Sequence, residues 1–462
     1  MSLTLRPYQQ RAVHDLRLSF RDGARAPLLV APTGMGKTCI AAEILRGVAE
    51  RGRRAIFLVH RRELVAQSAA KLALAGVEHG IIAAGFEPTD QPIQIASVQT
   101  LVRRFDSIAI PPDLIVIDEA HHATAGSWNQ ILTHWPDALR LGVTATPIRL
   151  DGRGLNSVFD RLVLGPTVAD LIFTGYLSPA KIYAPPPQVD LSRLAKRAGD
   201  FAAGEAAERM DRPTVTGNAI EHYKRLAPGV RAIAFCCTVQ HAEHVAASFR
   251  AAGIAAATLL GSSPDRDQVV ARFATGELQV LVTVDVVSEG FDIPAASCAI
   301  LLRPTASLGL YLQQVGRVLR PAPGKQSAVI LDHVGNVHRH GFPDDPRDWS
   351  LDDRLRSGRG GGQAAPSVRT CPSCFAAFKP APLCPVCGAA CAPPPKQLRE
   401  VDGELRELKR TAKVIEFEER YARRSEVGRA RSLSELLMVA KNRGYSPGWA
   451  YRIHNARSNA AR

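Results

Sequence analysis

A short segment near the N-terminus has the composition of a loop that binds phosphate. The residues Ala31-Pro32-Thr33-Gly34-Met35-Gly36-Lys37-Thr38 fit the pattern Gly-x-x-x-x-Gly-Lys-Ser/Thr, except that alanine replaces the first glycine. In such a loop the glycines let backbone N–H groups surround phosphate oxygens, the lysine reaches the β- and γ-phosphates, and the threonine hydroxyl ligates Mg²⁺. A simple strand-to-helix turn is the alternative interpretation. We predict that ATP is bound by Thr33, Gly34, Met35, Gly36, Lys37 and Thr38.

Two adjacent carboxylates follow an apolar run further along the chain. The run Leu114–Ile117 leads directly into Asp118 and Glu119. Paired carboxylates of this kind are common at solvated strand ends, but together with a phosphate loop they favour nucleotide hydrolysis. We predict that Asp118 holds Mg²⁺, directly or through water, and that Glu119 orients and deprotonates the attacking water.

A pair of arginines near residue 320 has the spacing of a helix face. Arg317 and Arg320 are three residues apart, so on a helix they point in the same direction. Two guanidinium groups there would neutralise charge on the γ-phosphate during its transfer. A solvated basic stripe is the alternative interpretation.

Five of the nine cysteines lie between Cys371 and Cys391. Two Cys-Pro-x-Cys turns, Cys371/Cys374 and Cys384/Cys387, would supply four thiolates, which matches the tetrahedral coordination of Zn²⁺. Cys391 is a spare or an alternative fourth ligand. Free thiols and an iron–sulfur cluster are the other interpretations.

The elements that must position these residues form two series of short apolar runs separated by helical segments. Apolar runs without polar alternation are typical of parallel strands that helices cover on both faces. We therefore predict two tandem α/β domains with doubly wound parallel sheets, followed by a small zinc ribbon and a basic helical tail. The predicted segments are a first ATPase domain at 1–165, a second at 166–345, a flexible linker at 346–366, a zinc ribbon at 367–392 and a basic helical region at 393–462.

The charge of the chain points to a polyanionic partner. The formal net charge is +14 at pH 7, which suits nucleic acid and does not by itself exclude an anionic membrane surface. The N-terminus has no basic region followed by an apolar run, and no stretch of 18 or more apolar residues occurs. We expect a cytoplasmic protein without a membrane partner. The aromatic and basic residues 440–452 either stack on bases or form the core of a small helical module.

The phosphate loop and the Asp118-Glu119-Ala120-His121 box, in this order, resemble the nucleotide-binding motifs of superfamily 2 helicases. Further motifs of that family fall into register, among them Leu5–Gln10, Gly142–Pro147, Val282–Pro294 and Gln313–Pro321. The resemblance implies two RecA-like domains and the following site residues. The residues implied to bind ATP are Gln9, Gly290 and Asp292, and Gln9 would read the adenine edge; the alternative is that its motif is only the start of a helix. The residues implied in catalysis are Lys37, Glu119, Gln314, Arg317 and Arg320, and those implied to couple hydrolysis to domain movement are Thr144 and Thr146. The residues implied to contact nucleic acid are His60, Arg61, Arg62, Ser97, Gln99 and Thr283.

Within superfamily 2 the chain is similar to the RadD-like and type III restriction-subunit (ResIII) group, and a phage or prophage relative is equally compatible. The stretches Leu5–Gln10, Gly142–Leu150, Leu301–Gly324 and Asp332–Asn336 carry this similarity. It implies an ATP-driven helicase or translocase acting on DNA in repair, recombination or phage DNA metabolism, with single-strand-binding protein as a partner. Three alternatives stay open: an ATPase switch or assembly factor that moves no strand, the motor subunit of a restriction-type complex, and RNA as the substrate.

Overall fold

The computed structural model describes residues 4–60, 62–87, 89–149, 154–184, 194–197, 200–261, 263, 265–284, 296–352, 367–391, 430, 432–443 and 446–460. The chain divides into two compact units, Met1–Pro393 and Pro394–Arg462.

The N-terminal part of the first unit is built around a parallel sheet of seven strands in the order β3-β4-β2-β5-β6-β1-β7. The strands are β1 Pro27–Val30, β2 Ala55–Val59, β3 Gly80–Ile82, β4 Ile93–Ser97, β5 Leu114–Asp118, β6 Leu139–Thr144 and β7 Arg161–Leu164. The helices are α1 Pro7–Arg21, α2 Lys37–Ala49, α3 Arg62–Leu74, α4 Val98–Leu101 and α5 Gly126–His134. Every residue of β2, β4 and β5 is buried, because helices cover both faces of the sheet.

A second parallel sheet follows, with six strands in the order β12-β13-β11-β14-β15-β8. Its strands are β8 Ala180–Tyr183, β11 Ala232–Phe235, β12 Ala256–Leu259, β13 Val280–Thr283, β14 Cys298–Leu301 and β15 Ala328–Asp332, and a hairpin is formed by β9 Lys196–Arg197 and β10 Asp200–Phe201. The helices are α6 Val168–Phe173, α7 Ala203–Met210, α8 Pro213–Leu226, α9 Val239–Ala251, α10 Arg266–Thr275, α11 Leu308–Val318 and α12 Asn336–His340. The predicted pair of doubly wound α/β domains is confirmed.

The chain returns from the second domain to the first through residues 343–352, which we call the return segment. The carbonyl of Leu351 accepts hydrogen bonds from the backbone N–H groups of Leu155 (2.8 Å) and Asn156 (3.0 Å). Trp349 and Leu351 also pack against a core cluster of the first domain that includes Phe159. The return segment overlaps the predicted linker 346–366, of which residues 353–366 lie outside the described part of the chain.

The cysteine-containing module, residues 367–391, packs against the second domain. Its short hairpin consists of β16 Arg369–Thr370 and β17 Ala377–Phe378. Ala376 forms an antiparallel bridge with Tyr183 at the edge of the second sheet, and the N–H of Ala184 donates to the carbonyl of Phe375 at 2.9 Å. An ion pair of 3.2 Å joins Lys379 to Asp345 of the return segment. The module therefore covers the exposed edge of β8.

The described part of the C-terminal unit is a pair of helices, Leu433–Arg443 and Pro447–Ala460. Leu436, Val439 and Ala450 are buried between them and Trp449 packs against this small core. The core interpretation of the tail predicts that Trp449 and Tyr451 form this core. It is confirmed for Trp449 and wrong for Tyr451, which is 49% exposed. Residues 392–429, which include most of the predicted basic helical region, lie outside the described part. Among the described residues, no helix combines the length and the hydropathy needed to cross a membrane.

Candidate active site

A cavity of about 300 Å³ lies where the two α/β domains of the first unit meet. It opens at the C-terminal ends of β1 and β5, the edge at which parallel sheets bind ligands. The first domain contributes Thr33, Gly34, Gly36, Lys37, Thr38, Leu64, Gln67, Ser68, Lys71, Asp118 and Glu119, and the second contributes Arg317 and Arg320. The structure thus brings the predicted phosphate loop, carboxylates and arginine pair together around one space.

The phosphate loop has the backbone of an anion-binding turn. Gly34 and Gly36 adopt positive φ angles of 93° and 87°, which favour glycine because it has no Cβ. Helix α2 begins at Lys37, so its N-terminus and the unpaired N–H groups there face the cavity. The Lys37 ammonium lies 3.4 Å from the carbonyl of Ala31. Met35 points away from the cavity into the core, where it is 1% exposed.

Asp118 and Glu119 are placed by the end of β5. Asp118 is the last residue of the strand, and Glu119 turns the chain through a left-handed conformation with φ of 48°. The backbone N–H of Glu119 donates to the Asp118 carboxylate at 3.0 Å. Burial, and next the Glu119 carboxylate, raise the pKa of Asp118 to about 6. Burial lowers the pKa of Lys37. The two adjacent carboxylates therefore form a local negative site that a bound cation would stabilise, although the rest of the cavity lining includes the cationic side chains of Lys37, Lys71, Arg317 and Arg320.

Helix α11 carries Arg317 to the cavity and lies very close to the first domain, while Arg320 reaches the cavity from the segment just after the helix ends at Val318, so the predicted helix face includes Arg317 alone. A Cβ placed on Gly316 would lie 2.7 Å from the Thr33 Cβ, and one on Gly309 would lie 2.8 Å from the Thr146 Oγ1. Gly309 and Gly316 are seven residues apart, so both lie on one face of the helix. The absence of side chains at these two positions lets α11 rest directly on the phosphate loop and on the segment after β6.

The glutamine nearest to the catalytic carboxylate is Gln313. Its Nε2 donates to the Glu119 Oε2 at 3.4 Å. Gln314, for which a catalytic role is predicted, is 2% exposed and does not line the cavity. Helical spacing explains the difference, because residues 313 and 317 share the face of α11 that points to the cavity.

Gln9 lies beside the phosphate loop, outside the residues that line the cavity. Its Nε2 donates to the Met35 carbonyl at 2.8 Å, and its Oε1 accepts from the Arg6 N–H at 2.9 Å. The side chain is 6% exposed. Its predicted contact with adenine stays a prediction, while the structure shows it bracing the turn that contains Gly36, whose Cβ would lie 2.4 Å from the Gln9 Nε2.

The two predicted coupling threonines are linked to the carboxylates through His121. The Nδ1 atom of His121 lies 3.5 Å from the Glu119 Oε2 and 3.2 Å from the Thr144 Oγ1. The Thr144 hydroxyl donates to the Thr146 carbonyl at 2.9 Å. Thr146 in turn faces Gly309 of α11. A continuous set of contacts therefore runs from Glu119 to the second domain.

The predicted nucleic-acid residues that the structure describes lie at strand ends. His60 directly follows β2 and Ser97 ends β4, and these strands are neighbours with Val59 opposite Ser97. The Ser97 hydroxyl donates to the Gln99 Oε1 at 3.0 Å. Thr283 ends β13 and is fully buried, donating to the Leu259 carbonyl at 2.9 Å. Outside the described backbone or side chains are Arg61, Arg62, Gly290 and Asp292.

Comparisons with known proteins agree with this arrangement. Residues 2–149 match the family model "Type III restriction enzyme, res subunit", and residues 218–322 match "Helicase conserved C-terminal domain". A 51.5 kDa protein of a Lactococcus phage is 34% identical over 366 residues, which cover 78% of this chain and 77% of the phage protein. The chain is a superfamily 2 helicase of the ResIII type.

Two further proteins are similar to this helicase, one in sequence and one in fold. IRC3 of Saccharomyces cerevisiae, which is named as an ATP-dependent helicase, is 30% identical over 358 residues, covering 72% of this chain and 51% of the yeast protein. The match therefore spans about half of that relative. The ATP-dependent type ISP restriction-modification enzyme LlaBIII, solved bound to DNA, superposes with a TM-score of 0.54 and 19% identity over 71% of this chain and 28% of LlaBIII, which shows a shared fold. The helicase is an ATP-hydrolysing enzyme by its family.

Four residues of α3 line the cavity of this helicase although none of them is among the predicted site residues: Leu64, Gln67, Ser68 and Lys71. Gln67 and Lys71 are four residues apart and therefore adjacent on the helix surface, and Ser68 lies beside them. Their helical spacing was visible in the sequence, but which face of α3 meets the cavity depends on the packing of the sheet.

The helicase also carries a four-cysteine cluster in the module at 367–391. The Sγ atoms of Cys371, Cys374, Cys384 and Cys387 all lie within 4.8 Å of one another. The Cys371–Cys387 and Cys374–Cys384 pairs are separated by 3.6 and 3.7 Å, far beyond the length of a disulfide. A tetrahedron with Zn–S bonds of about 2.3 Å has edges of about 3.8 Å, so the spacing fits a bound Zn²⁺. The fifth thiol, Cys391, lies near the carbonyl of Ala389 at 3.5 Å instead.

Proposed function

We propose that this helicase uses ATP hydrolysis to move along or unwind DNA, in repair, recombination or phage DNA metabolism. The observation that carries the proposal is the cavity between the two domains, which is lined by Lys37, Asp118 and Glu119 from one domain and by Arg317 and Arg320 from the other. A site divided in this way is complete only while the domains are together. Binding and hydrolysis of ATP therefore alternate with closing and opening of the cleft.

Each residue of the cavity has a separate role in the proposed hydrolysis of ATP. Lys37 and the N-terminus of α2 bind the β- and γ-phosphates. Glu119 accepts a proton from the attacking water, and Gln313 holds the Glu119 carboxylate through its 3.4 Å hydrogen bond. Arg317 and Arg320 stabilise the charge that spreads over the γ-phosphoryl oxygens in the transition state.

Mg²⁺ fits the donor set of this cavity. Thr38 and Asp118 both line it, and a hydroxyl with a carboxylate is the pair of oxygen ligands that Mg²⁺ takes beside ATP. When bound, the ion would neutralise charge on the phosphates. The raised pKa of Asp118 reflects burial of the carboxylate and the nearby Glu119 charge, both of which a cation would offset.

DNA is the nucleic acid on which this helicase is proposed to act. The chain has a net charge of +14, which supplies affinity for phosphates regardless of sequence. The matching family model is named for a restriction enzyme, and LlaBIII was solved with DNA. His60, Ser97 and Gln99, at the adjacent ends of β2 and β4, are the proposed contacts in the first domain. The similarity to RadD-like helicases makes single-strand-binding protein a proposed partner.

The cysteine cluster is proposed to hold a structural Zn²⁺. The four thiolates would form a closed coordination shell, which leaves no position for a reacting group. A module of about 25 residues buries too little apolar surface to fold on its own, so the metal would supply much of its stability. Because the module pairs with β8 and with the return segment, its folding also supports the second domain.

A second candidate function is the motor subunit of a restriction-type complex. The family model for the first domain and the likeness to LlaBIII favour it. Cutting would then come from another subunit. Strand displacement by the purified chain alone favours a helicase, while displacement of a DNA-bound protein without strand separation favours a translocase of this kind.

Steady-state ATP hydrolysis tests the proposal, with no polymer, single-stranded DNA, duplex DNA and RNA compared in parallel. We expect one DNA form to stimulate turnover strongly. Glu119→Gln removes the proposed base with little change in size, and we expect it to lower kcat about 10²- to 10⁴-fold. Equal turnover under all four conditions would overturn the motor and leave an ATPase switch.

A further inference from the structure

Three histidine rings form a continuous row of tilted ring contacts beside the catalytic carboxylate. His121 and His122 belong to a one-turn 3₁₀ helix, Ala120–His122, that directly follows Glu119. The ring centroids of His121 and His122 are 4.2 Å apart, and those of His122 and His60 are 5.0 Å apart. His122 therefore lies between the end of β2 and the end of β5.

The backbone of His122 is tied to Glu119 as well. The N–H of His122 donates to the Glu119 carbonyl at 3.0 Å, and the His122 carbonyl accepts from the N–H of Ala125 at 2.9 Å. His121 reaches the Glu119 Oε2 at 3.5 Å. A displacement of His122 would consequently move both the backbone turn and the ring that set the direction of the Glu119 side chain.

We propose that His122 is a positioning residue that transmits strand binding at His60 to Glu119. His122 does not line the cavity, so it has no direct contact with ATP to offer. Its ring packs against a residue proposed to meet the DNA backbone, and its peptide N–H holds the residue proposed to activate water. The inference rests on the proposed function, since it explains how a bound strand raises the rate of hydrolysis.

Ring packing carries the proposed contact between His60 and His122. Aromatic rings with centroids 4.5 to 7 Å apart interact favourably in tilted arrangements, and 5.0 Å with a 42° interplanar angle lies in that range. A flat ring of similar size should therefore preserve the transmission, whereas a methyl group should leave a gap between His60 and the turn after β5. When that gap is present, strand binding no longer shifts Glu119.

The test compares wild type, His122→Ala and His122→Phe, with His134→Ala as the matched control. His134 is also a stacked histidine of the first domain, 4.1 Å from the Phe105 centroid, but it does not line the cavity. For each chain, kcat and KM for ATP are measured without polymer and with saturating single-stranded DNA, together with the DNA concentration for half-maximal stimulation and Tm.

We expect the stimulation of His122→Ala, measured as the ratio of kcat with DNA to kcat without it, to fall about fivefold or more, while KM for ATP and the half-stimulating DNA concentration stay at their wild-type values. His122→Phe should recover most of the stimulation, and His134→Ala should match wild type. The inference is overturned if DNA stimulates His122→Ala as strongly as wild type, or if it stimulates His122→Phe no better than His122→Ala. Neither outcome contradicts the proposed DNA-dependent ATPase function. A wild-type chain that no polymer stimulates overturns both.

A double-mutant cycle with His60→Ala gives a second readout. If His60 acts through His122, the double variant should be stimulated as much as the weaker single variant, because the second substitution removes a contact that is already lost. Losses that multiply would show that the two histidines act independently, which contradicts the inference.

Discussion

Gly316→Ala perturbs the closest contact between the two α/β domains. The added Cβ would lie 2.7 Å from the Thr33 Cβ and 3.2 Å from its Cγ2. Carbon atoms that are not bonded prefer separations of about 3.5 to 4.0 Å. Helix α11 must therefore retreat from the phosphate loop, and Arg317, the next residue, retreats with it.

The size of the effect follows from the cost of overpacking. Inserting a methyl group into a tight contact costs about 1 to 3 kcal/mol. Because 1.36 kcal/mol corresponds to a tenfold change, the closed arrangement becomes about 5- to 150-fold less populated relative to the open one. Alanine also stabilises a helix by up to about 1 kcal/mol relative to glycine, but this gain is the same in the open and the closed arrangement. Activity and stability should therefore change in opposite directions.

The assay is kcat at saturating ATP and DNA, measured beside Tm. Gly217→Ala is the matched control, because Gly217 lies in α8 of the same domain and a Cβ there would meet nothing within 4 Å. We expect Gly217→Ala to raise Tm slightly without changing kcat. Gly316→Ala should lower kcat about 5- to 150-fold while Tm stays at or above the wild-type value. Wild-type kcat in Gly316→Ala would refute the view that hydrolysis requires this contact.

Three further predictions concern the metal site, acid stability and the return segment. Cys384→Ser should abolish stoichiometric zinc in the purified chain and lower Tm, whereas Cys391→Ser should retain the metal; equal zinc content in both variants would contradict the assignment of ligands. Burial, and next the neighbouring His222, lower the pKa of His333 to about 3. The His333 side chain is therefore protonated below about pH 6.5 in the unfolded chain, but only below about pH 3 in the folded chain. Stability should fall as the pH drops through that window, and His333→Phe should lose about 2 kcal/mol less than wild type between pH 7.5 and 4.5 in denaturant titrations; identical losses would contradict the shift. Trp349→Ala should release the return segment from the first domain and speed its cleavage in limited proteolysis, and an unchanged cleavage rate would show that other contacts hold it.

The sheets were predictable wherever strands are covered on both faces. The central strands β2, β5, β11 and β14 are continuous apolar runs in the sequence, and every residue of each is buried. The edge strand β7 is harder to predict, because a strand at the border of a sheet buries few side chains, and only one of its four residues is buried. Its sequence, Arg161-Leu162-Val163-Leu164, contains an apolar run of only three residues, which is shorter than the runs of the central strands.

The site was predictable where its chemistry is local in sequence. A phosphate loop and a pair of adjacent carboxylates each fit within eight residues, so their geometry follows from one turn of backbone. Contacts between elements were not predictable in this way. To predict that Gln313 and not Gln314 lies beside Glu119, one must know the orientation of α11. To predict the ring contact between His60 and His122, one must know the register of β2 with β5.

Helix α11 explains how a single ligand could control the relative position of the two domains. One face of this helix carries Gly309 and Gly316, which permit contact with the first domain, together with Gln313 and Arg317 at the catalytic site. Arg320 reaches the same cavity from the segment after the helix. A ligand shifts an equilibrium between two arrangements only by its difference in affinity for them. On the proposed mechanism the γ-phosphate provides that difference, because it contacts the two arginines in the closed arrangement alone. Once it is cleaved and released, the closed cleft retains its glycine contacts but loses its strongest electrostatic ones, and the domains are free to separate. The glycines determine how closely the domains approach, while the arginines make that approach depend on ATP. Gly316→Ala and Arg317→Ala should therefore each reduce kcat. Only Arg317→Ala should lose the preference of the closed form for ATP over ADP.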